Sequence, residues 1–130
     1  MYNKLEAFLA LPDVANITED VFINDRLGTF KVKPMTTDAY AAYRKQCTGT
    51  AQKGGADFDF GKYQLLIVTG QVVQPNFADA DFLGKAGCAT AREFVARKFK
   101  PGEIAEIAEK INTLSGFNTD DDELIEEAKN

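Results

Sequence analysis

Apolar side chains recur along this chain at two different spacings. Near the start, "NKLEAFLAL" places Leu5, Phe8 and Leu9 on one face of a short helix, which Pro12 ends. A polar connection, "DVANITED", leads into "VFINDRLGTFKVKPM". Here the period falls to two. Val21 and Ile23 alternate with Phe22 and Asn24, and Phe30 and Val32 alternate with Lys31 and Lys33. Asn24, Asp25 and Gly28 tolerate a tight turn, so the segment reads as a β-hairpin whose second strand is closed by Pro34. A lone hairpin is marginal in water and must pack on something else.

The helical spacing then returns. In "TTDAYAAYRKQC" Thr36 or Thr37 can cap, Asp38 suits the helix N-terminus, and Tyr40 and Tyr43 share a face, which predicts a helix of about three turns. "TGTAQKGGAD" reads as an exposed, mobile loop. "FDFGKYQLLIVTGQVV" is ambiguous. Leu65 to Val68 is a continuous run rich in β-branched residues, as in a buried strand. The length of the wider pattern favours a helix from about Asp59, with Tyr63, Leu66, Ile67 and Val73 on one side, ended by Pro75. "DADFLGKAG" predicts a short helix between the cap Asp79 and the stop Gly87. "TAREFVARKF" opens on Thr90-x-x-Glu93, a capping box. Pro101 and Glu103 start the helix "PGEIAEIAEKINTLSG", whose Ile104, Ile107, Ile111 and Leu114 form one apolar stripe. Gly116 stops it, with Phe117 folding back over its last turn. "TDDDELIEEAKN" predicts a last acidic helix capped by Thr119 or Asp120.

The expected architecture is α+β and mainly α: one N-terminal β-hairpin followed by about five helices, packed as a single domain over residues 1–130 with frayed ends. No internal repeat is visible. A composition of 45% hydrophobic and 27% charged residues is that of a globular protein with a real core.

Charge narrows the function. Fifteen basic and twenty acidic residues give a net charge of −5, which argues against nucleic acid or an anionic membrane as partner. The local basic group Arg92, Arg97, Lys98 and Lys100 reads as the solvated side of a helix. There is no histidine, which removes the commonest general base and zinc ligand, and with it Ser-His, Cys-His and HExxH chemistry. Cys47 and Cys88 lie far apart and read as reduced, buried thiols. No secretory signal and no apolar run long enough for a membrane span is apparent, so a soluble intracellular protein is expected.

The remaining motifs carry no chemistry. Asp57-x-Asp59 and Asp79-x-Asp81 open like calcium loops, but the twelfth residues are Val68 and Thr90 where an EF-hand needs glutamate. The aspartates read instead as helix caps. Asp120 to Glu123 is an acidic helix start. "GTAQKGG" lacks the ending of a phosphate loop, and Asp59-Phe60-Gly61 spells a kinase motif without its catalytic loop. Arg44 and Lys45 would lower the Cys47 pKa, but the thiol has no histidine or resolving partner. No catalytic residue, cofactor or metal is expected. The stripe Ile104, Ile107, Ile111 and Leu114 has two readings, core or a face for a partner helix, and is the candidate protein-binding site.

Three stretches together resemble a known family. They are "DVFINDRLGTFKVKPMTTDAYAAYRKQCT", "FDFGKYQLLIVTGQVVQPNFADADFLGKAGCATAREFVARKF" and "PGEIAEIAEKINTLSGFNTDDDELIEEAKN". With "K-x-M-T", "QPNF", "KAGC" and "GEI…I…LSGF" in the same order, the chain resembles the XkdN-like phage tail assembly chaperones of tailed phages and prophages of Gram-positive bacteria. One departure is a short connection between the hairpin strands, which the family often lengthens. The resemblance implies a non-enzymatic protein of the host cytoplasm. It would bind the tape measure protein, help recruit subunits of the major tail tube protein, and be absent from the mature virion. It also implies a frameshift-extended form. Here Ala128-Lys129-Asn130 can be encoded GCA-AAA-AAY, a slippery A-rich sequence. A homo-oligomer is a further expectation. The alternative reading is a structural tail or connector component of the virion.

Overall fold

The structure, a computed structural model, describes residues 5–50 and 56–117. Its elements run α1 (Leu5–Leu9), β1 (Glu19–Asn24), β2 (Gly28–Val32), α2 (Thr37–Cys47), β3 (Thr48–Thr50), β4 (Ala56–Phe58), α3 (Phe60–Gln71), β5 (Val72–Gln74), α4 (Ala80–Ala86), α5 (Ala91–Lys98) and α6 (Pro101–Leu114). A 3₁₀ turn, Val14–Asn16, follows α1. The domain is α+β and mainly helical, and among the described residues five helices follow the hairpin. The acidic segment expected to form a last helix lies outside the described residues.

The hairpin forms as its alternation predicts. Glu19 pairs with Val32 and Val21 with Phe30, so Ile23, Phe30 and Val32 point inward and are buried. Gly28 takes φ 79°, a value only glycine adopts cheaply, and the Leu27 N–H donates to Asn24 Oδ1 at 2.8 Å.

The hairpin is part of a larger sheet than the sequence suggests. β5 adds to β2, giving a three-stranded antiparallel sheet in the order β1-β2-β5. The ambiguous run therefore resolves as its helix reading, Leu65 to Val68 included, followed by a short strand that neither reading placed. It is helix through Gln71, and then extended backbone from Val72 to Gln74, which takes Val73 off the helical face. Gln71, 3% exposed, is the reason. Its side-chain amide donates to the Lys33 and Pro34 carbonyls at 3.2 and 2.9 Å, its carboxamide oxygen accepts from Tyr43 at 2.7 Å, and its backbone carbonyl accepts from the Lys33 N–H at 3.0 Å. These bonds seat the end of α3 on the end of β2. The loop "TGTAQKGGAD" likewise contributes two three-residue strands, β3 and β4, paired Thr48 to Phe58 and Gly49 to Asp57. Its residues 51–55 lie outside the description.

Local caps start the helices. Asp59, Asp79 and Thr90 accept from the N–H groups of Lys62, Phe82 and Glu93 at 3.0, 2.9 and 3.1 Å. Asp59 and Asp79, two of the calcium-loop candidates, are thus occupied as caps. α6 packs on α3 and β1, while α2 and α5 pack on α3. The core between them holds Ile67, Val68, Val95, Ile107 and Ile111, none measurably exposed. Phe77 of "QPNF" sits among Phe30, Phe94 and Phe99, with ring centroids 5.5–5.8 Å apart. At α2 the Tyr43 ring lies over Gly70, where a Cβ would meet Tyr43 Cζ at 2.9 Å.

The other buried polar residue, Glu103, is 6% exposed. Its carboxylate accepts from Arg26 Nε at 2.9 Å, from Arg26 Nη2, from Asn24 Nδ2 at 3.0 Å and from the Lys100 N–H at 2.8 Å. Arg26 Nη2 also donates to the Lys98 carbonyl at 2.8 Å. The hairpin turn is thereby tied to the α5–α6 junction. The hydrogen bonds from Arg26, then that from Lys100, lower the Glu103 pKa from 4.5 to about 2.

A depressed carboxylate pKa contributes stability that is present above pH 4.5 and is lost as pH falls towards 2. Urea unfolding at stepped pH is expected to show this loss, and Glu103→Gln is expected to flatten the slope in that window and lower stability above it. Ile107→Ala should cost about 2–5 kcal/mol, since a fully buried branched side chain is replaced by a cavity. Urea denaturation at neutral pH measures it.

Candidate functional site: a protein-binding surface

α6 turns its stripe into the protein. Ile104 is 9% exposed, while Ile107 and Ile111 are 0% exposed, so no partner reaches them while α6 keeps its place. Of the four residues only Leu114 is half-buried, at the lip of a groove of about 460 Å³ between β1 and α6. Val21 and Leu114 supply its apolar wall, and Glu19, Glu106 and Glu109 its acidic one.

Apart from Phe22 and Phe82, the exposed large apolar side chains among the described residues lie in two places. The first is the N-terminal arm. α1 buries no residue, and Leu5, Phe8 and Leu9 are 85%, 51% and 87% exposed, followed by Leu11 and Val14. The predicted face exists, but among the described residues it stays largely exposed.

The second is a strip of aromatic rings across α2, β4 and the start of α3. Phe117 folds back over the end of α6 as expected, its N–H donating to the Asn112 carbonyl at 3.0 Å after the left-handed Gly116. Its side chain reaches α2, where the ring lies 5.0 Å from that of Tyr40. One turn on, the Arg44 guanidinium stands 5.6 Å from the Tyr40 centroid and 5.3 Å from that of Phe58. Phe58 continues to Phe60 at 6.3 Å, and both rings rest on Tyr63. Phe58, Phe60 and Phe117 are 38%, 60% and 44% exposed. Lys62 Nζ donates to the Gln46 carbonyl at 3.2 Å, keeping a second cation beside the rings.

Burial pushes the Tyr63 hydroxyl up to about 12, so it stays protonated at neutral pH. Cys47, beneath the strip and 3% exposed, is likewise raised by burial, which outweighs the lowering by Lys62. The expectation that Arg44 and Lys45 would lower it is overturned, because the thiol faces the core while those side chains face solvent. Arg92, Arg97, Lys98 and Lys100 are all exposed, and Arg97 stands 3.7 Å from Glu93. Among the described residues no three His, Cys, Asp or Glu side chains gather to hold a metal. What the strip offers is aromatic area beside an arginine, the residue mix that carries most of the energy at protein interfaces. Its members stand at positions 40, 44, 58, 60 and 117, so helical periodicity alone does not join them. The one local signal was Phe58-x-Phe60, within "FDFG".

No curated protein matches the chain. Among solved structures, the crystal structure of the protein yqbn, a structural-genomics target, has the same fold. It is 20% identical, with a TM-score of 0.61 over 91% of this chain and 100% of that one. A family model described as phage XkdN-like tail assembly chaperone protein matches residues 5–129. The chain therefore belongs to the XkdN-like phage tail assembly chaperones.

Proposed function

We propose that this chain acts without catalysis, binding the tape measure protein while the tail is built. It keeps that long helical client soluble and helps recruit major tail tube subunits around it. It does so in the host cytoplasm and is left out of the mature virion. Family membership supports the reading, and one structural observation carries it: the domain completes a core, yet leaves Phe58, Phe60 and Phe117 outward beside Arg44. Exposed apolar surface joined to an arginine is interaction surface. The arm adds a second contact. A five-residue helix is far below the roughly 12–15 residues that hold alone in water, so α1 gains order from whatever covers its leucines. Several copies along an extended client would add such weak contacts by avidity, whether as a homo-oligomer or with a frameshift-extended form of the chain. A net charge of −5 keeps the unoccupied protein soluble.

Co-expression with the tape measure protein of the same gene cluster is expected to move that client into the soluble fraction and to co-purify it. Phe60→Ala should weaken the complex about tenfold while changing stability by less than ~0.5 kcal/mol, because the ring is largely outside the core. A client that stays insoluble, with no complex recovered, defeats the proposal. Finding the chain by mass spectrometry among the proteins of purified particles would favour a structural tail component instead.

A further inference from the structure

The three-stranded sheet keeps one long free edge. In the order β1-β2-β5 both outer strands are edges, but β5 has three residues and β1 has six. A strand with a single neighbour turns the N–H and C=O groups of every second residue outward. Among the described residues, the main chain of Glu19–Asn24 is paired with β2 alone. The pairing is regular from Glu19 to Phe22, and the strand contains neither the lysine nor the proline that commonly blunts an edge. Beside it opens the groove of about 460 Å³ between β1 and α6. Asn24 and Arg26 tie the far end of the hairpin strand to Glu103, so the groove runs along its Glu19 half. Three carboxylates, Glu19, Glu106 and Glu109, line it against one ammonium, Lys110. Among the described residues none of the three is in an ion pair. Val21 and Leu114 add an apolar wall, and Phe22, the next side chain on the opposite face, is 57% exposed.

We infer that β1 takes up an extended, basic segment of a partner protein as a fourth strand of the sheet. The main chain of that segment pairs with the free edge. Lysine or arginine side chains on one of its faces reach Glu19, Glu106 and Glu109, with their aliphatic stems along Val21 and Leu114. Apolar side chains on its other face lie beside Phe22. Charge selects this occupant. A second copy of the chain would bring either its own β1, whose charged residues Glu19 and Asp20 are both acids, or β5, which has no charged residue. Neither complements the acidic wall, whereas a basic strand does. This contact is separate from the aromatic strip and does not require the tape measure protein as its partner.

The probe is the peptide acetyl-Lys-Val-Lys-Val-Lys-Val-Lys-amide, titrated at low salt into the full-length chain and followed by NMR of the backbone amides. The signals of Glu19 to Phe22 are expected to shift and their hydrogen exchange to slow, while those of Phe60 and Phe117 stay in place. The double change Glu106→Gln and Glu109→Gln should weaken binding about fivefold. Replacing the central valine of the peptide by proline keeps every charge but removes an N–H, and should abolish the protection of β1 and most of the binding. If the β1 amides of the wild type neither shift nor gain protection at about 1 mM peptide, the inference fails. A proline peptide that binds as tightly as the first would also overturn it, by showing that the groove attracts charge without adding a strand. Either failure leaves the client proposal intact, since that is read from the solubility of the tape measure protein.

Discussion

The carboxylate of Glu103 is the point on which the rest of the arrangement depends. A charge brought out of water is costly unless it is paired and its lone pairs are filled. Here four hydrogen bonds reach one carboxylate, three from the hairpin turn and one from the start of its own helix. The pairing is specific in geometry, because the planar guanidinium of Arg26 spans both carboxylate oxygens and also reaches the Lys98 carbonyl. A helix held at its first turn in this way has its rotation set. Ile104, Ile107 and Ile111 then face the sheet and α3, and the core closes around them. Removing Arg26 alone would leave the buried Glu103 carboxylate without its match, whereas exchanging both for apolar groups need not weaken the fold.

A second polar residue sets what remains outside. Gln71 binds the end of β2 with its amide and Tyr43 with its oxygen, and the absent side chain at Gly70 lets the Tyr43 ring come close. Once Tyr43 points inward, Tyr40 and Arg44 stand on the outer flank of α2. The capping of α3 by Asp59 places Phe58 and Phe60 at its exposed end, beside that flank. The strip is therefore a by-product of how two buried polar side chains orient α2, α3 and α6. An acidic protein thus carries a local surface that is aromatic and cationic.

Much of the secondary structure was legible because it rests on contacts three or four residues apart. The caps Asp59, Asp79 and Thr90, the proline and glutamate that open α6, the left-handed Gly87 and the alternation around Gly28 all act locally. Strands of three residues have no such local signature. β5 exists because β2 and Gln71 hold it, and β3 and β4 because they hold each other. That is why a helix-or-strand ambiguity resolved into a helix followed by a strand.

The stripe on α6 shows the same division at the level of function. Its spacing established that an apolar face exists, but a buried face and a docking face have the same period. The Glu103 ion pair and the packing against α3 and β1 decided that it faces the core. The face of α1 went the other way and is left uncovered among the described residues. By itself the sequence determined the helices, the hairpin, the absence of histidine chemistry and the ordered motifs that place the chain in its family. Only the tertiary structure decided which apolar faces are spent on the core and which remain outward. That choice depends on contacts between residues up to 80 positions apart, which no local pattern encodes.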